Sequence, residues 1–199
     1  STRKVVGPLD TERAAELKEL EQQIEDSNRY RGVEYQLAED CLQSAFLARG
    51  LERPRVEVDG RFSRAARVAD NVGNRQQILR IAYAKTWTAF WWYDDFAKLN
   101  RLYDQVEGLI LGSMQAADLE LLANLWTVLY SSVMQGRLTA KEANLDTRTE
   151  KLKSELERIA AEKHRPNNAL LAHTCRLLID LSEAVDKKIS LDVTFADLK

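Results

Sequence analysis

The chain has 199 residues, of which 45% are hydrophobic and 30% charged, and its formal net charge is −2. This composition is typical of a folded globular chain, and it excludes both a disordered segment and a globally basic nucleic-acid binder. Only 8 glycines and 3 prolines are present, which favours helices over turn-rich structures. No apolar run reaches the ~20 residues of a membrane-spanning helix, so we expect no membrane partner and a cytoplasmic location.

Residues that usually carry catalysis or bind metals are sparse. Cys41 and Cys175 lie far apart, and His164 and His173 show no metal-ligand spacing. The sequence contains no glycine-rich phosphate loop and no nucleophile elbow. We therefore expect no catalytic residues, no metal site and no cofactor, which predicts that the protein is not an enzyme.

Apolar residues recur at three- and four-residue steps through most of the chain, which predicts seven or eight helices. The first nine residues lack this periodicity and are predicted to form a flexible start. In chain order, we expect helices over about residues 10–26, 30–49, 63–71, 78–92, 96–110, 118–135, 145–163 and 167–187.

One segment has a different pattern. Val56 and Val58 alternate with charged residues, and Asp59-Gly60 is a tight-turn dipeptide. A single short strand has no partner with which to form a sheet. Residues 50–62 are therefore predicted to be an irregular loop.

The central stretch, residues 75–112, contains three of the four tryptophans. Its first helix, 78–92, is apolar on nearly every side, so it must be buried between neighbours or present an apolar face to a partner. Asp94 and Asp95 supply a helix N-cap before a second helix that is apolar on one side only. The stretch predicts a helical hairpin with a buried first helix and a partly exposed second helix.

A short phrase recurs in four of the predicted helices at intervals of about 40 to 50 residues. It occurs as Leu37-Ala38-Glu39-Asp40-Cys41, Tyr83-Ala84-Lys85-Thr86-Trp87, Leu122-Ala123-Asn124-Leu125-Trp126 and Leu171-Ala172-His173-Thr174-Cys175. A small residue at the same place lets neighbouring helices approach closely. Helical pairs that recur at this spacing are typical of an α-solenoid, although Leu-Ala is also a common dipeptide in helices.

The central hairpin resembles a degenerate tetratricopeptide repeat. The residues that carry the resemblance are Tyr83, Trp87, Phe90, Asp95, Phe96, Leu99, Tyr103 and Val106. Trp87 departs from the pattern, because the family usually has a small residue there. The resemblance implies an all-α solenoid of stacked antiparallel hairpins, which serves as a scaffold for protein contacts and has no catalytic activity of its own.

In repeats of this type the inner helices line a concave face, so outward residues on those helices are candidates for partner binding. Carrying that register onto this sequence selects Thr88, Trp91, Trp92, Thr127, Tyr130 and Arg176. Trp and Tyr are the side chains most often found as binding anchors. Adjacent Trp91 and Trp92 cannot both lie on one helix face, so we expect one of them at the surface or at a joint between repeats. The alternative is that both are core residues.

A second candidate is a patch of arginines between residues 49 and 80. Its central members are Arg53, Arg55, Arg61, Arg64 and Arg67. Arginine's planar fork suits phosphate and carboxylate groups, so the patch could bind nucleic acid, a nucleotide or an acidic peptide. The alternative is a solvated face whose arginines form ion pairs within the chain.

Together these features predict a single helical repeat domain over residues 1–199 that acts as a protein-interaction or sensor module. The start of the chain and its last nine residues, which resemble the first turns of another helix, lead us to expect a piece of a longer regulatory protein. The expected partner is a protein segment or another domain of the same polypeptide. Two alternatives are a nucleic-acid or nucleotide-binding domain that uses the arginines, and a bundle that dimerises through residues 145–163.

Overall fold

The structure, a computed structural model, describes residues 7–26 and 28–186. These residues form eight α-helices and contain no β-strand, and neighbouring helices pack against each other, so the all-α prediction is confirmed. The helices are α1 (Pro8–Glu25), α2 (Glu34–Gly50), α3 (Arg55–Val72), α4 (Arg75–Trp91), α5 (Phe96–Ile110), α6 (Ala116–Met134), α7 (Leu145–Ala160) and α8 (Pro166–Asp186). No helix among the described residues is long and apolar enough to cross a membrane.

Two predictions concern residues that lie largely outside the described ranges. Most of the predicted flexible start, residues 1–6, and the whole of the expected further helix, residues 191–199, lie outside the described residues. The helix α1 begins at Pro8, before the expected position.

The prediction of an irregular loop over 50–62 is wrong from Arg55 onward, because these residues form the first two turns of α3. Val58 and Phe62, four residues apart, are fully buried, and so are Ala65 and Ala69 further along the helix. This is the spacing of one helix face, whereas Val56, which suggested a strand, is 79% exposed. Burial of this helical stripe outweighs the local turn preference of Asp59-Gly60.

Contacts divide the chain within α4 into two compact units, one up to Lys85 and the other from Thr86 onward. In the first unit, α2 packs against both α1 and α3. Gln77, in the first turn of α4, donates hydrogen bonds from Nε2 to the Tyr35 carbonyl (3.0 Å) and to Glu39 Oε1 (2.6 Å), and Arg80 pairs with Glu39. The first turns of α4 are therefore held against α2.

In the second unit, α6 packs against α5, α7 and α8. Trp126 of α6 is fully buried, and its indole Nε1 donates a 2.8 Å hydrogen bond to Thr149 Oγ1 of α7. The apolar seam of α7 is buried as well, with Leu152, Leu156 and Ile159 at most 1% exposed. The seam that was expected to form a dimer is thus part of this unit's own core, and that alternative is wrong.

Helices two positions apart in the second unit run parallel to each other. Asn168 of α8 accepts a hydrogen bond from the Ala116 backbone N–H (2.8 Å) and donates one to the Met114 carbonyl (3.1 Å). At the opposite ends of the two helices, the Tyr130 hydroxyl of α6 donates to the Ser182 carbonyl of α8 (3.5 Å). Parallel contact between alternate helices is what stacked helical hairpins produce.

Helices α5 and α7 are linked by a buried guanidinium. Arg148 is 3% exposed and donates hydrogen bonds to Asn100 Oδ1 (2.6 Å), to Asp104 Oδ1 (2.6 Å) and to the Ala143 carbonyl (2.7 Å). Its guanidinium also lies over the ring of Tyr103, 4.5 Å from the centroid. These partners come from α5 and from the chain that leads into α7, so one side chain holds both in place.

The recurring phrase has the same environment in all four helices that contain it. Its alanines, Ala38, Ala84, Ala123 and Ala172, are each at most 9% exposed. A side chain of this size permits close helix packing without a cavity. The shared small residue therefore has a packing role in both units.

Candidate functional site

Aromatic side chains gather where α4 ends and α5 begins. Asp94 adopts a left-handed backbone conformation (φ 47°), and the Asp95 side chain caps α5 by accepting a 2.9 Å hydrogen bond from the Lys98 backbone N–H. The tight reversal brings Phe96 against Phe90, with ring centroids 6.1 Å apart. The local sequence thus ends one aromatic-rich helix and immediately starts the next.

Trp91 is the most exposed aromatic side chain of this cluster. It is 65% exposed, and its ring is nearly parallel to that of Trp87 one turn earlier (12° between planes, 6.3 Å between centroids). Trp91 also contacts Phe90, with 5.8 Å between centroids. The spacing of four residues stacks the two indoles, so one face of the Trp91 ring packs on Trp87 while the rest is open to solvent.

Trp92 follows the last residue of α4 and is 42% exposed. Both members of the adjacent pair therefore lie at the surface, where the sequence led us to expect one. Thr88 is only 1% exposed, so its side chain offers no surface to a partner, which corrects the predicted register at that position. We call the cluster of Trp87, Trp91 and Trp92 the tryptophan surface.

The two α6 residues predicted for partner binding have different environments. Thr127 is exposed, and its hydroxyl donates back to the Ala123 carbonyl (3.0 Å). Tyr130 is half-buried, and its ring stacks on Trp126 with centroids 4.8 Å apart. The Tyr130 side chain is thus engaged within its own unit, both by this stack and by its hydroxyl's contact with Ser182.

Arg176, the predicted binding residue of α8, is directed towards α7. Its Nε lies 3.1 Å from Glu157 Oε1, and its Nη2 lies 3.5 Å from Asp180. The outward residues of α8 are instead Leu170, Thr174, Leu178 and Val185, which sequence reasoning missed. The signal that could have identified them is a row of uncharged residues at four- and seven-residue spacing.

The arginine patch is divided among several intramolecular ion pairs. Arg61 lies 3.2 Å from Glu21 and 3.3 Å from Glu57, and Arg64 lies 3.5 Å from Glu25. Arg55 pairs with Asp59 one turn along α3 (3.6 Å), while Arg53 and Arg67 are exposed. Much of the positive charge of α3 is therefore compensated by carboxylates of α1 and α3.

A polar pocket of about 340 Å³ lies between α2 and the first part of α4, lined in part by Glu39, Asp40 and Arg80. Asp40 accepts hydrogen bonds from the Tyr30 hydroxyl (2.6 Å) and from Gln36 Nε2 (2.7 Å), and Glu39 pairs with Arg80. Burial and the bond to Asp40 raise the pKa of Tyr30 to about 12. Arg80 therefore compensates the charge of Glu39, while both hydrogen-bond donors to Asp40 are neutral groups.

The remaining reactive groups are buried or scattered. Burial raises the pKa of both Cys41 and Cys175 to about 11, which keeps these thiols protonated. Within residues 7–26 and 28–186, no group of three or more His, Cys, Asp or Glu side chains is placed to hold a metal ion.

Comparison of the chain with known protein families, with curated proteins and with solved structures finds no match.

Proposed function

We propose that this chain is a non-catalytic, tetratricopeptide-like helical repeat domain that binds a partner protein segment, or another domain of the same polypeptide, through the tryptophan surface. The observation that carries the proposal is the 65% exposure of Trp91 on top of a second indole. A large apolar ring at the surface loses contact with water when a partner covers it, which stabilises the complex.

The stacked geometry suits a binding anchor. Trp91 is supported by Trp87 and Phe90, so its ring is held in place before a partner arrives and little conformational entropy is lost on binding. Trp92 widens the apolar area next to it. Tryptophan is among the side chains that contribute most to protein–protein binding energy.

The assignment to a tetratricopeptide-like repeat rests on two features of the helices. Alternate helices of the second unit run parallel, and the shared alanine of the repeated phrase is buried in each of its four copies. Both features support stacked hairpins, in which a scaffold exposes the inner helices to a partner.

The alternative function, recognition of phosphate by the arginine patch, has less support. The ion pairs of Arg61 and Arg64 with Glu21, Glu25 and Glu57 would have to be exchanged for contacts with a ligand. Paired arginines bring less uncompensated charge to a phosphate than unpaired ones.

Site-specific photocrosslinking in cells tests the proposal. A photoreactive phenylalanine analogue replaces Trp92, and the matched control carries it at Val56, which is 79% exposed on α3. We expect a discrete adduct from position 92 that is absent from position 56 and is lost when Trp91→Ala is added. Identical adducts from both positions, or an adduct indifferent to Trp91→Ala, would contradict the proposal.

A further inference from the structure

The polar pocket between α2 and the first turns of α4 carries an uncompensated negative charge. Its charged lining residues are two acidic ones, Glu39 and Asp40, and one basic one, Arg80. Arg80 pairs with Glu39, whereas Asp40 forms no ion pair with any described residue. One negative charge therefore remains, and it lies on the half-buried carboxylate of Asp40.

Neutral donors hold the Asp40 carboxylate in place. The Tyr30 hydroxyl donates to Oδ2 (2.6 Å), and Gln36 Nε2 donates to Oδ1 (2.7 Å). Each carboxylate oxygen can accept two hydrogen bonds, so each keeps an acceptor position for a ligand. Arg29 lies over the ring of Tyr30, 6.0 Å from its centroid, and is not among the residues that line the pocket.

A buried acceptor without a partner lies beside the pocket wall. Gln77 is 2% exposed, and its Nε2 donates to the Tyr35 carbonyl and to Glu39 Oε1. The Gln77 Oε1 atom is buried and has no hydrogen-bond partner among the described residues. Buried acceptors usually have a donor, so this side of the pocket lacks donors rather than acceptors.

The pocket also has an apolar wall, formed by Leu42 and Phe46 one turn apart on α2. The ring of Phe46 is held by an edge contact with Phe62, with centroids 5.9 Å apart. A carboxylate thus stands next to a fixed aromatic ring. The volume of about 340 Å³ is within the range of sites that bind small molecules or single side chains.

We propose that this pocket, which we call the Asp40 pocket, binds an organic ammonium group. Asp40 anchors the charge, and Leu42 and Phe46 contact the carbon chain. An ammonium group brings one positive charge and three N–H donors but no acceptor, which matches both the residual charge and the shortage of donors. The Asp40 pocket lies in the first unit and is independent of the tryptophan surface.

Saturation-transfer NMR of the full chain tests the ligand class. The probe is n-pentylammonium, and its neutral control of equal chain length is 1-pentanol. We expect transfer from the protein to pentylammonium and little to pentanol. Because the anchor is a single, partly exposed charge, we expect a millimolar dissociation constant, measured by titration over about 0.1 to 20 mM, and weaker binding when salt is added.

A charge-neutral variant tests the anchor. Asp40→Asn removes the charge but keeps an oxygen that can accept from the Tyr30 hydroxyl, and it is expected to weaken pentylammonium binding at least tenfold. The matched control is Asp70→Asn, at an exposed position of α3 outside the pocket, which should leave the affinity unchanged. Circular dichroism confirms that both variants keep their helices.

Two sources supply ammonium groups, free alkylamines and the lysine side chains of proteins. A second probe, Nα-acetyl-lysine N-methylamide, carries the ammonium group on a peptide-like body. Tighter binding of this probe than of pentylammonium assigns the Asp40 pocket to a lysine of a partner protein. The reverse order assigns the pocket to a free amine.

Three results would overturn the proposal: no transfer to pentylammonium, equal binding of pentylammonium and pentanol, or an Asp40→Asn variant that binds like the wild type. The first two compare probes on the wild-type chain, so they decide the matter even if Asp40→Asn does not fold. None of the three bears on partner binding by the tryptophan surface.

Discussion

Replacement of Arg148 by methionine tests how α5 and α7 are held together. Arg148 donates four hydrogen bonds, two from Nη1 to Asn100 Oδ1 and the Ala143 carbonyl, and two from Nη2 to Asp104 Oδ1 and the Asn100 carbonyl. Methionine retains much of the aliphatic volume but removes every donor. The acceptors at Asn100 and Ala143 then lose partners that water cannot easily replace.

The expected loss of stability follows from the burial of Arg148. Removing one member of a buried charge pair costs about 3–5 kcal/mol, because polar groups are left without partners. Asp104 is 68% exposed on its side chain and regains water after the substitution, so the lower end of this range applies. We expect Arg148→Met to lower the free energy of unfolding by about 3 kcal/mol.

Urea denaturation followed by tryptophan fluorescence measures this loss, since all four tryptophans belong to the second unit. The matched control is Arg165→Met, which removes a partly exposed pair with Glu162 and should cost no more than about 0.5 kcal/mol. If the two variants unfold at the same urea concentration, then Arg148 does not hold α5 against α7 and the reasoning from its hydrogen bonds is refuted.

Four further expectations concern stability and reactivity. Gly60→Ala should raise the free energy of unfolding by roughly 0.5–1 kcal/mol, since Gly60 lies inside α3 with open space around it. Gly73→Ala should lower it by about 1 kcal/mol, because Gly73 has a φ of 76°. Chemical denaturation of both variants measures these opposite changes. Trp126→Phe should cost about 2 kcal/mol in the same assay, because it removes the buried hydrogen bond to Thr149 and leaves a small cavity. Cys41 and Cys175 should resist alkylation at pH 8 until the chain unfolds, and equal rates in native and denatured protein would contradict their burial. Because their folded pKa of about 11 exceeds the ordinary value of 9.0, they stabilise the fold below pH 9, and denaturation at a series of pH values should show that contribution lost as pH rises from about 9 to 11.

The helices that could be predicted well are those with a clear cap and one apolar side. The helix expected over 96–110 agrees with α5, because Asp95 caps it and its buried residues recur at three- and four-residue steps. The start of α3 could not be predicted in this way. Val56 and Val58 stand two apart as in a strand, and only the packing of α3 against α2 within the first unit decides that Val58 and Phe62 share a buried face.

Surface residues were harder to predict than helices, because an apolar side chain can be core or contact surface with the same local pattern. The helix that contains Thr88 and Trp91 is apolar nearly all round, so its periodicity could not say which of the two is buried. In α8, Leu170 and Leu178 recur at the same apolar spacing as buried residues, yet both are exposed. Whether such a side chain is buried depends on where the neighbouring helices lie, and the local sequence pattern does not give their positions.

Quenching of tryptophan fluorescence by acrylamide tests most directly whether the tryptophan surface is open. Trp126 is fully buried, while Trp91 and Trp92 are 65% and 42% exposed, so we expect one protected and one readily quenched component. Trp91→Phe should remove much of the quenched component, and Trp126→Phe should leave it unchanged. If the wild-type emission is blue-shifted and protected throughout, or if Trp91→Phe does not alter the quenching, the surface is closed and the proposed binding site is not available to a partner.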